Sequence, residues 1–324
     1  MAFGHAAAPA SAGARKGDGS ARDIARTLWQ SRWLYLFLLP TVILYSAYTI
    51  WPILASIRYS LLDWNGFDSD GVFIGFANYS ELASDPQFWN AFANTLMFLV
   101  LAVPLRVGLA LVLAVALNDP RLPFVRIMRT ALFLPVVTTG AIVGVVMRFV
   151  LDPTGGPINV ALLDSGLLDR PVNFLGQASL ALYSAVAIWV WKWLGVTLIY
   201  WLAALQTIPK DLYEAASIDG AGRVEQFRYV TIPLLVPFLI IITLLTAVEA
   251  TNVFDLLLTL TGGGPFYATE VIDIFVYRQA FAANIPRLGY ASAAALFFGA
   301  CIVLLAALQM IVRWHLRRRA GEAR

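Results

Sequence analysis

Charged residues are scarce in this chain of 324 residues, of which 13% are charged and 60% are hydrophobic. A soluble globular domain typically carries about 25% charged residues. Half of that proportion leaves too few polar side chains to cover a water-facing surface, and the mean hydropathy of +0.73 agrees. The composition therefore argues against a soluble enzyme and favours an integral membrane protein.

Residues that build metal, redox and nucleotide sites are also scarce. The single cysteine, Cys301, excludes an intrachain disulfide and a cysteine-rich metal centre. The two histidines, His5 and His315, lie near opposite ends, so no pair has the spacing of a helical zinc site. No lysine follows a glycine, which excludes a phosphate-binding P-loop. We therefore expect no catalytic residue, metal site or cofactor in this chain, and no ATP hydrolysis by it alone.

Long apolar runs occupy most of the sequence, and six of them can cross a hydrocarbon core of about 30 Å as helices. The predicted fold is all-α, a polytopic membrane domain of six transmembrane helices spanning 33–313. The tail 1–32 is rich in Ala, Gly, Ser and charge and is expected to be disordered, while 314–324 forms a short basic tail. The apolar runs lie approximately at 33–57, 91–117, 130–151, 178–205, 232–254 (with room to continue toward 260) and 291–312.

The basic residues are distributed unevenly between the two sides of the predicted bundle. Of the 23 Lys and Arg residues, 16 lie on the side of the two tails, four lie on the opposite side and three lie within spans. Cytoplasmic loops carry the excess of Lys and Arg in membrane proteins. Both termini are therefore predicted to be cytoplasmic.

The inner loop at 206–231 is the most patterned loop of the chain. Glu214 lies in the first turns of a short predicted helix, where the helix dipole favours acidic side chains. Asp219 and Gly220 form a turn signal, and a second short helix is predicted at about 222–230. Such a helix–turn–helix serves either as a rigid knob for another protein or as an amphipathic hairpin on the membrane surface.

Ionisable side chains inside the spans are candidates for a polar pathway, because each costs roughly 2.5–3.5 kcal/mol at mid-membrane. Arg106 lies in the second span, Lys192 in the fourth and Glu249 in the fifth. Lys192 and Glu249 either form a salt bridge between two spans or line the pathway. Arg106 faces either a partner subunit or a polar cavity. The candidates for a substrate pathway are Lys192, Thr246, Glu249, Asn252 and Asp255.

Several strings of residues resemble one family. The string EAAxxDGA at 214–221 is similar to the EAA loop of binding-protein-dependent ABC importer permeases. DWNGF at 63–67 and LTGGGP at 260–265 resemble the carbohydrate-uptake branch of that family, the maltose, glycerol-3-phosphate and trehalose permease group of type I importers. The resemblance extends from about residue 34 to 312.

The resemblance implies a division of labour among several chains. A second, homologous permease subunit shares the pathway, two copies of a separate ABC ATPase bind ATP and Mg, and an extracytoplasmic solute-binding protein or lipoprotein delivers the carbohydrate. The substrate implied is a di- or oligosaccharide, the location is the cytoplasmic membrane of a bacterium or archaeon, and the surroundings are membrane lipid rather than nucleic acid. The EAA loop implies ATPase-coupling positions at Glu214, Ala215, Ala216, Asp219, Gly220 and Arg223.

An outer turn follows the fifth span. Its composition resembles a phosphate-binding loop, but no Lys-Ser or Lys-Thr pair follows it. We expect a flexible turn that serves as an outer gate or as a docking site for the binding protein. The residues of this turn are Gly262, Gly263, Gly264 and Pro265.

Two other classes of function remain open at this point. A membrane-embedded enzyme of glycan or lipid metabolism requires convergent acidic residues, and the one DxD string is Asp68-x-Asp70, in an aromatic loop. An ion-coupled secondary transporter predicts two related halves with paired broken helices, and the sequence shows one EAA string without an evident second copy.

Overall fold

The structure is a computed structural model that describes residues 32–68, 71–118 and 122–322. Its helices are α1 Arg32–Tyr45, α2 Trp51–Tyr59, α3 Ala77–Ser84, α4 Pro86–Leu117, α5 Val125–Val137, α6 Gly140–Val150, α7 Pro157–Asp164, α8 Ala178–Leu205, α9 Lys210–Ile218, α10 Arg223–Gln226, α11 Ile232–Ala250, α12 Phe254–Leu260, α13 Ile272–Tyr277 and α14 Leu288–Glu322. Three π-helical turns lie at Ser46–Ile50, Phe227–Thr231 and Arg278–Ala282. The strands β1 Leu62–Asp63 and β2 Val72–Phe73 pair antiparallel.

The chain divides into two units, one up to Ala55 and one from Ser56 onward. The first unit contains α1 and the beginning of α2. Apart from the first predicted span, the elements discussed below lie in the second unit. Of the two predicted tails, residues 1–31 lie outside the described residues, and the backbone of α14 continues through most of 314–324 as helix.

Four described segments are long and apolar enough to cross a membrane, and they correspond to the first, second, fourth and fifth predicted spans. The third predicted span is a bent pair, because α5 and α6 meet at an angle of 103°. The sixth lies in α14, where Leu288–Leu304 is apolar. The described helices thus supply four continuous spans, or five if the bent pair counts as one, and the apolar part of α14 is shorter than these.

The fifth predicted span has different ends from those expected. A helix runs without interruption over Arg223–Ala250, so the second arm of the inner loop is continuous with the span rather than a separate short helix. The span then ends at Ala250, and residues up to Val253 are not helical before α12 begins. The continuation toward residue 260 as one helix is therefore wrong.

Helix α8 is the centre of the core. It packs along α4 and against α5, and α11 packs against α4. Trp201 is fully buried, and its indole Nε1 donates to the Val107 carbonyl at 3.0 Å. At Gly195 the backbone of α5 comes so close that a Cβ would lie 2.5 Å from the Leu132 carbonyl oxygen. A small residue is therefore required where these two helices meet.

A second apolar cluster joins α3, the start of α4, α13 and α14. Phe88 is fully buried and makes edge-on contacts with Phe275 (5.8 Å between ring centroids) and Phe297 (5.6 Å). Such edge-to-face pairs contribute beyond their buried area. This cluster fixes α13 against α4 and α14, and it thereby positions the outer loop that precedes α13.

Candidate functional site

The inner hairpin, residues 210–226, turns at Gly220. This glycine has a left-handed backbone with φ +83°, which costs glycine no steric strain. The Gly220 N–H donates to the Ser217 carbonyl at 3.1 Å, and the Ala221 N–H donates to the Ala216 carbonyl at 2.9 Å. These two bonds form a Schellman cap, which satisfies the last carbonyl groups of α9. The turn lies where the sequence predicts it.

Side chains link the two arms of the inner hairpin. The Gln226 amide donates to the Ser217 hydroxyl at 2.9 Å and to the Ala221 carbonyl at 3.1 Å. At the base of the hairpin the hydroxyls of Tyr213 and Thr231 lie 2.9 Å apart. The second arm is continuous with α11, so the braced hairpin and this apolar helix are joined without a break.

The tip of the inner hairpin is exposed. Ala216 is half-buried, whereas the other predicted coupling residues are exposed, namely Glu214, Ala215, Asp219, Gly220 and Arg223. Two apolar neighbours, Ile218 and Val224, are 87% and 78% exposed. The sequence analysis did not select Val224; an apolar residue among the polar residues that follow the turn is the clue that could have found it. Exposed apolar side chains grouped with polar ones are typical of a protein-binding surface.

Arg106 and Glu249 form an ion pair between α4 and α11. The Arg106 Nη2 atom lies 2.7 Å from the Glu249 Oε2 atom, and the guanidinium carbon lies 4.9 Å from the Trp189 ring centroid. The Arg106 side chain is fully buried, whereas the Glu249 side chain is 34% exposed. A buried arginine stays charged and needs a compensating anion. Arg106 therefore holds the Glu249 carboxylate at the surface of α11.

Lys192 lies at the break between α5 and α6. Its Nζ atom donates to the Thr138 carbonyl at 2.7 Å, lies 3.5 Å from the Val136 carbonyl, and sits 4.1 Å from the Trp193 ring centroid. The end of a helix leaves carbonyl groups without partners and favours a cation there. The alternative of a Lys192–Glu249 salt bridge is wrong, because Arg106 pairs with Glu249 and Lys192 caps the broken span.

A groove of about 630 Å³ lies beside the break between α11 and α12. Asn252 lies in the break, is exposed and lines the groove together with Asp273 and several aromatic residues. Of the other predicted pathway residues, Asp255 is exposed at the start of α12. Thr246 is fully buried in α11, and its hydroxyl has no hydrogen-bond partner among the described residues. The structure therefore brings one of the predicted residues, Asn252, into the groove.

The outer turn at 262–265 is tied to its surroundings. The Thr269 hydroxyl donates to the Gly264 carbonyl at 2.6 Å. From α4, the Asn94 amide donates to the carbonyl of Tyr267 at 2.9 Å. The sequence predicts a flexible turn here, whereas the structure shows a loop that hydrogen bonds hold to itself and to α4.

A buried carboxylate closes this outer loop. Glu270 is 1% exposed, and its Oε1 atom lies 2.9 Å from the Nη1 atom of Arg278. The Arg278 guanidinium also donates to the Gln87 amide oxygen at 3.2 Å and lies over the Tyr267 ring. Burial raises the pKa of Glu270 to about 7, although the neighbouring Arg278 opposes this rise. The sequence analysis did not select this pair, because its members are joined only through the folded loop.

Comparisons with known proteins agree with the polytopic membrane fold. Residues 71–319 match a family described as the binding-protein-dependent transport system inner membrane component. The chain is 34% identical over 280 residues to the probable ABC transporter permease protein YurN of Bacillus subtilis, with 85% of this chain and 94% of that protein covered. It is 33% identical over 279 residues to the lactose transport system permease protein LacF of Rhizobium radiobacter, with 85% and 92% covered.

Among solved structures, the chain resembles one of a bacterial ABC transporter involved in the import of the acidic polysaccharide alginate. The TM-score is 0.77 at 25% identity, and the match covers 90% of this chain and 98% of that one. The family match covers well over half of the chain, and the aligned relatives are matched over most of their own length. The chain therefore belongs to the family of inner-membrane components of binding-protein-dependent transport systems.

Proposed function

We propose that this chain is one permease subunit of an ATP-driven ABC importer of carbohydrates. Family membership and the lactose and alginate transporters among its relatives support the transport class and the substrate class. The observation that carries the proposal is the exposed inner hairpin, which is braced internally and continuous with a membrane span. Neither a membrane enzyme nor a secondary transporter requires an exposed hairpin of this kind.

The coupling mechanism follows from the construction of the hairpin. A separate ATPase subunit binds ATP and Mg, and its movement displaces Glu214 and the exposed apolar residues Ile218 and Val224. Because α10 continues into α11, the displacement reaches the end of that span at the Arg106–Glu249 pair. A bound nucleotide shifts the equilibrium between inward- and outward-facing states only through its different affinity for the two.

The pathway lies on the surface of α11 and α12 that contains Glu249, Asn252 and Asp255. These polar side chains are at least partly exposed within an apolar bundle, and Asn252 lines the groove at the helix break. A second, homologous permease subunit faces this surface and completes the pathway. Sites for small molecules typically combine an apolar or aromatic lining with a few polar groups. Whether Lys192 and Thr246 also contact substrate stays a prediction, because both are buried in the described chain.

The proposal also includes the orientation of the chain in the membrane and its contact with a solute-binding protein. The excess of basic residues on the side of both tails supports cytoplasmic termini and an inner hairpin on the ATPase side. The outer loop at 262–265 then faces the solute-binding protein and serves as its docking site or as an outer gate.

The test is co-purification of the tagged chain from native membranes in mild detergent. We expect the wild-type chain to bring down an ATPase and a second permease. Glu214→Arg is expected to lose the ATPase and to keep the permease, because the reversed charge lies on the exposed hairpin. Asp164→Arg makes the same charge change at an exposed position of α7 on the predicted outer side, and it is expected to keep both partners. A wild-type chain that purifies alone contradicts the proposal.

A further inference from the structure

The groove at the break between α11 and α12 has an aromatic wall. Phe254 and Tyr277 have ring centroids 5.2 Å apart, and Tyr277 and Phe281 lie 6.0 Å apart. Phe281 is 70% exposed and Tyr277 is 37% exposed, so these faces are open to a ligand in the described chain. The polar groups that accompany them include the Asn252 amide and the Asp273 carboxyl. The volume of about 630 Å³ falls within the range of small-molecule sites.

The charge of this groove is negative. Asp273 is its one charged lining residue within the described part of the chain, and Asp255 is exposed nearby in α12. The two arginines between α12 and α14 are each engaged elsewhere, Arg278 with Glu270 and Arg287 with Glu81. No ion pair to Asp255 or Asp273 occurs among the described residues.

The third carboxylate of the region is already neutralised. Glu249 pairs with Arg106, and the guanidinium lies fully buried behind it. Lys192 does not supply a free positive charge either, because its ammonium group is bonded to the Thr138 carbonyl at the end of α5. A ligand in the groove therefore meets the Asp273 carboxylate and no cation among the described residues that line the groove.

We propose that this part of the pathway accepts uncharged saccharides and rejects anionic ones, with Asp273 as the specificity-determining residue. The proposal rests on the proposed transport function and narrows its substrate class. An ionised carboxylate is only a hydrogen-bond acceptor, so it pairs with sugar hydroxyls, which donate. A uronate or phosphate group presents acceptor oxygens and the same sign of charge. Like charges placed together across a contact surface suppress the wrong partner.

The test uses the complete co-purified complex in nanodiscs. In this complex the chain carries Cys301→Ser and Asn252→Cys. Removing the single native cysteine leaves a reporter thiol that lines the groove. We expect a cationic methanethiosulfonate reagent to react about tenfold faster than an anionic one, because the local potential is negative. Adding Asp273→Asn is expected to bring the two rates to within about threefold, while Asp164→Asn on the exposed end of α7 leaves the ratio unchanged.

Protection of the same thiol measures substrate class directly. We expect maltotriose to slow labelling by a neutral maleimide and trigalacturonate to have no effect at the same concentration, and Asp273→Asn to allow both to protect. Equal protection by both saccharides in the parent chain, protection by neither, or faster reaction of the anionic reagent overturns the proposal. Failure of the proposed transport function is distinguishable from failure of this inference. In that case the chain purifies without an ATPase in the co-purification experiment.

Discussion

The Arg106–Glu249 pair allows an asymmetric prediction about stability. Glu249→Gln leaves a fully buried guanidinium, 2.7 Å from the former carboxylate oxygen, without its counter-charge. Removing one partner of a buried pair typically costs 3–5 kcal/mol, and the 34% exposure of Glu249 places this case near about 3 kcal/mol. Arg106→Met removes the buried charge and leaves a carboxylate that water reaches. Its expected cost is about 1 kcal/mol.

The assay is the melting temperature of the purified complex, followed by size-exclusion chromatography after heating. A loss of about 3 kcal/mol corresponds to a decrease of about 4–5 °C for a chain of 324 residues. The double variant Arg106→Met/Glu249→Gln is expected to melt within about 2 °C of the wild type, because no buried charge remains. Asp255→Asn on α12 is the matched control and is expected to have no effect. If both single variants cost the same and their effects add in the double variant, the reasoning is refuted.

Three further predictions concern single residues. Lys192→Met is expected to lower the free energy of unfolding by about 2 kcal/mol, because it leaves the Thr138 carbonyl unpaired at the break of the third span. A thermal-shift assay that compares Lys192→Met with Lys192→Arg checks this value. Gly220→Ala is expected to weaken the inner hairpin by about 1 kcal/mol, because alanine is strained at the positive φ of this position. Amide hydrogen exchange in the hairpin is then faster, whereas Gly222→Ala, at φ −72°, is expected to have no effect. Equal exchange in the two variants contradicts this prediction. The pKa of Glu270 is raised to about 7 from an ordinary 4.5, so the folded chain binds this proton more tightly. Stability is then expected to fall as the pH rises from 5 through 7, and Glu270→Gln to flatten that slope.

Local patterns in the sequence predicted those parts of the molecule that depend on local chemistry. The turn at Asp219 and Gly220 follows from glycine's access to positive φ, and the structure has it at that place. The apolar runs lie in helices, because about 20 consecutive apolar residues is the length that a helix needs to cross a membrane. The family resemblance, carried by EAAxxDGA and LTGGGP, agrees with the family match.

Features that depend on contacts between distant segments could not be predicted in the same way. The break in the third span falls between Thr138 and Thr139, which are neutral residues that a hydropathy window passes over. Its stabilising partner, Lys192, lies more than 50 residues away. The sequence contains three cations and one carboxylate inside the predicted spans, and only the packing of α4 against α11 determines that Arg106 pairs with Glu249.

The outer loop shows the same limit. Three consecutive glycines indicate freedom of the backbone, and flexibility is the natural expectation from composition. In the folded chain, side chains from α4 donate hydrogen bonds to the loop carbonyls, and a buried Glu270–Arg278 pair closes it. The partners on α4 lie about 170 to 190 residues away, so no local pattern reveals them.

The central claim is that the exposed inner hairpin docks on an ATPase, and cysteine cross-linking measures this most directly. Val224→Cys in a Cys301→Ser chain places one reporter at the hairpin tip, where the native side chain is 78% exposed. Leu167→Cys, at a residue 73% exposed next to α7 on the predicted outer side, is the matched control. In native membranes, we predict an adduct of the Val224→Cys chain with an ATPase subunit whose yield changes with ATP, and no such adduct of the control. Absence of the hairpin adduct, or an equal adduct from the outer position, contradicts the account.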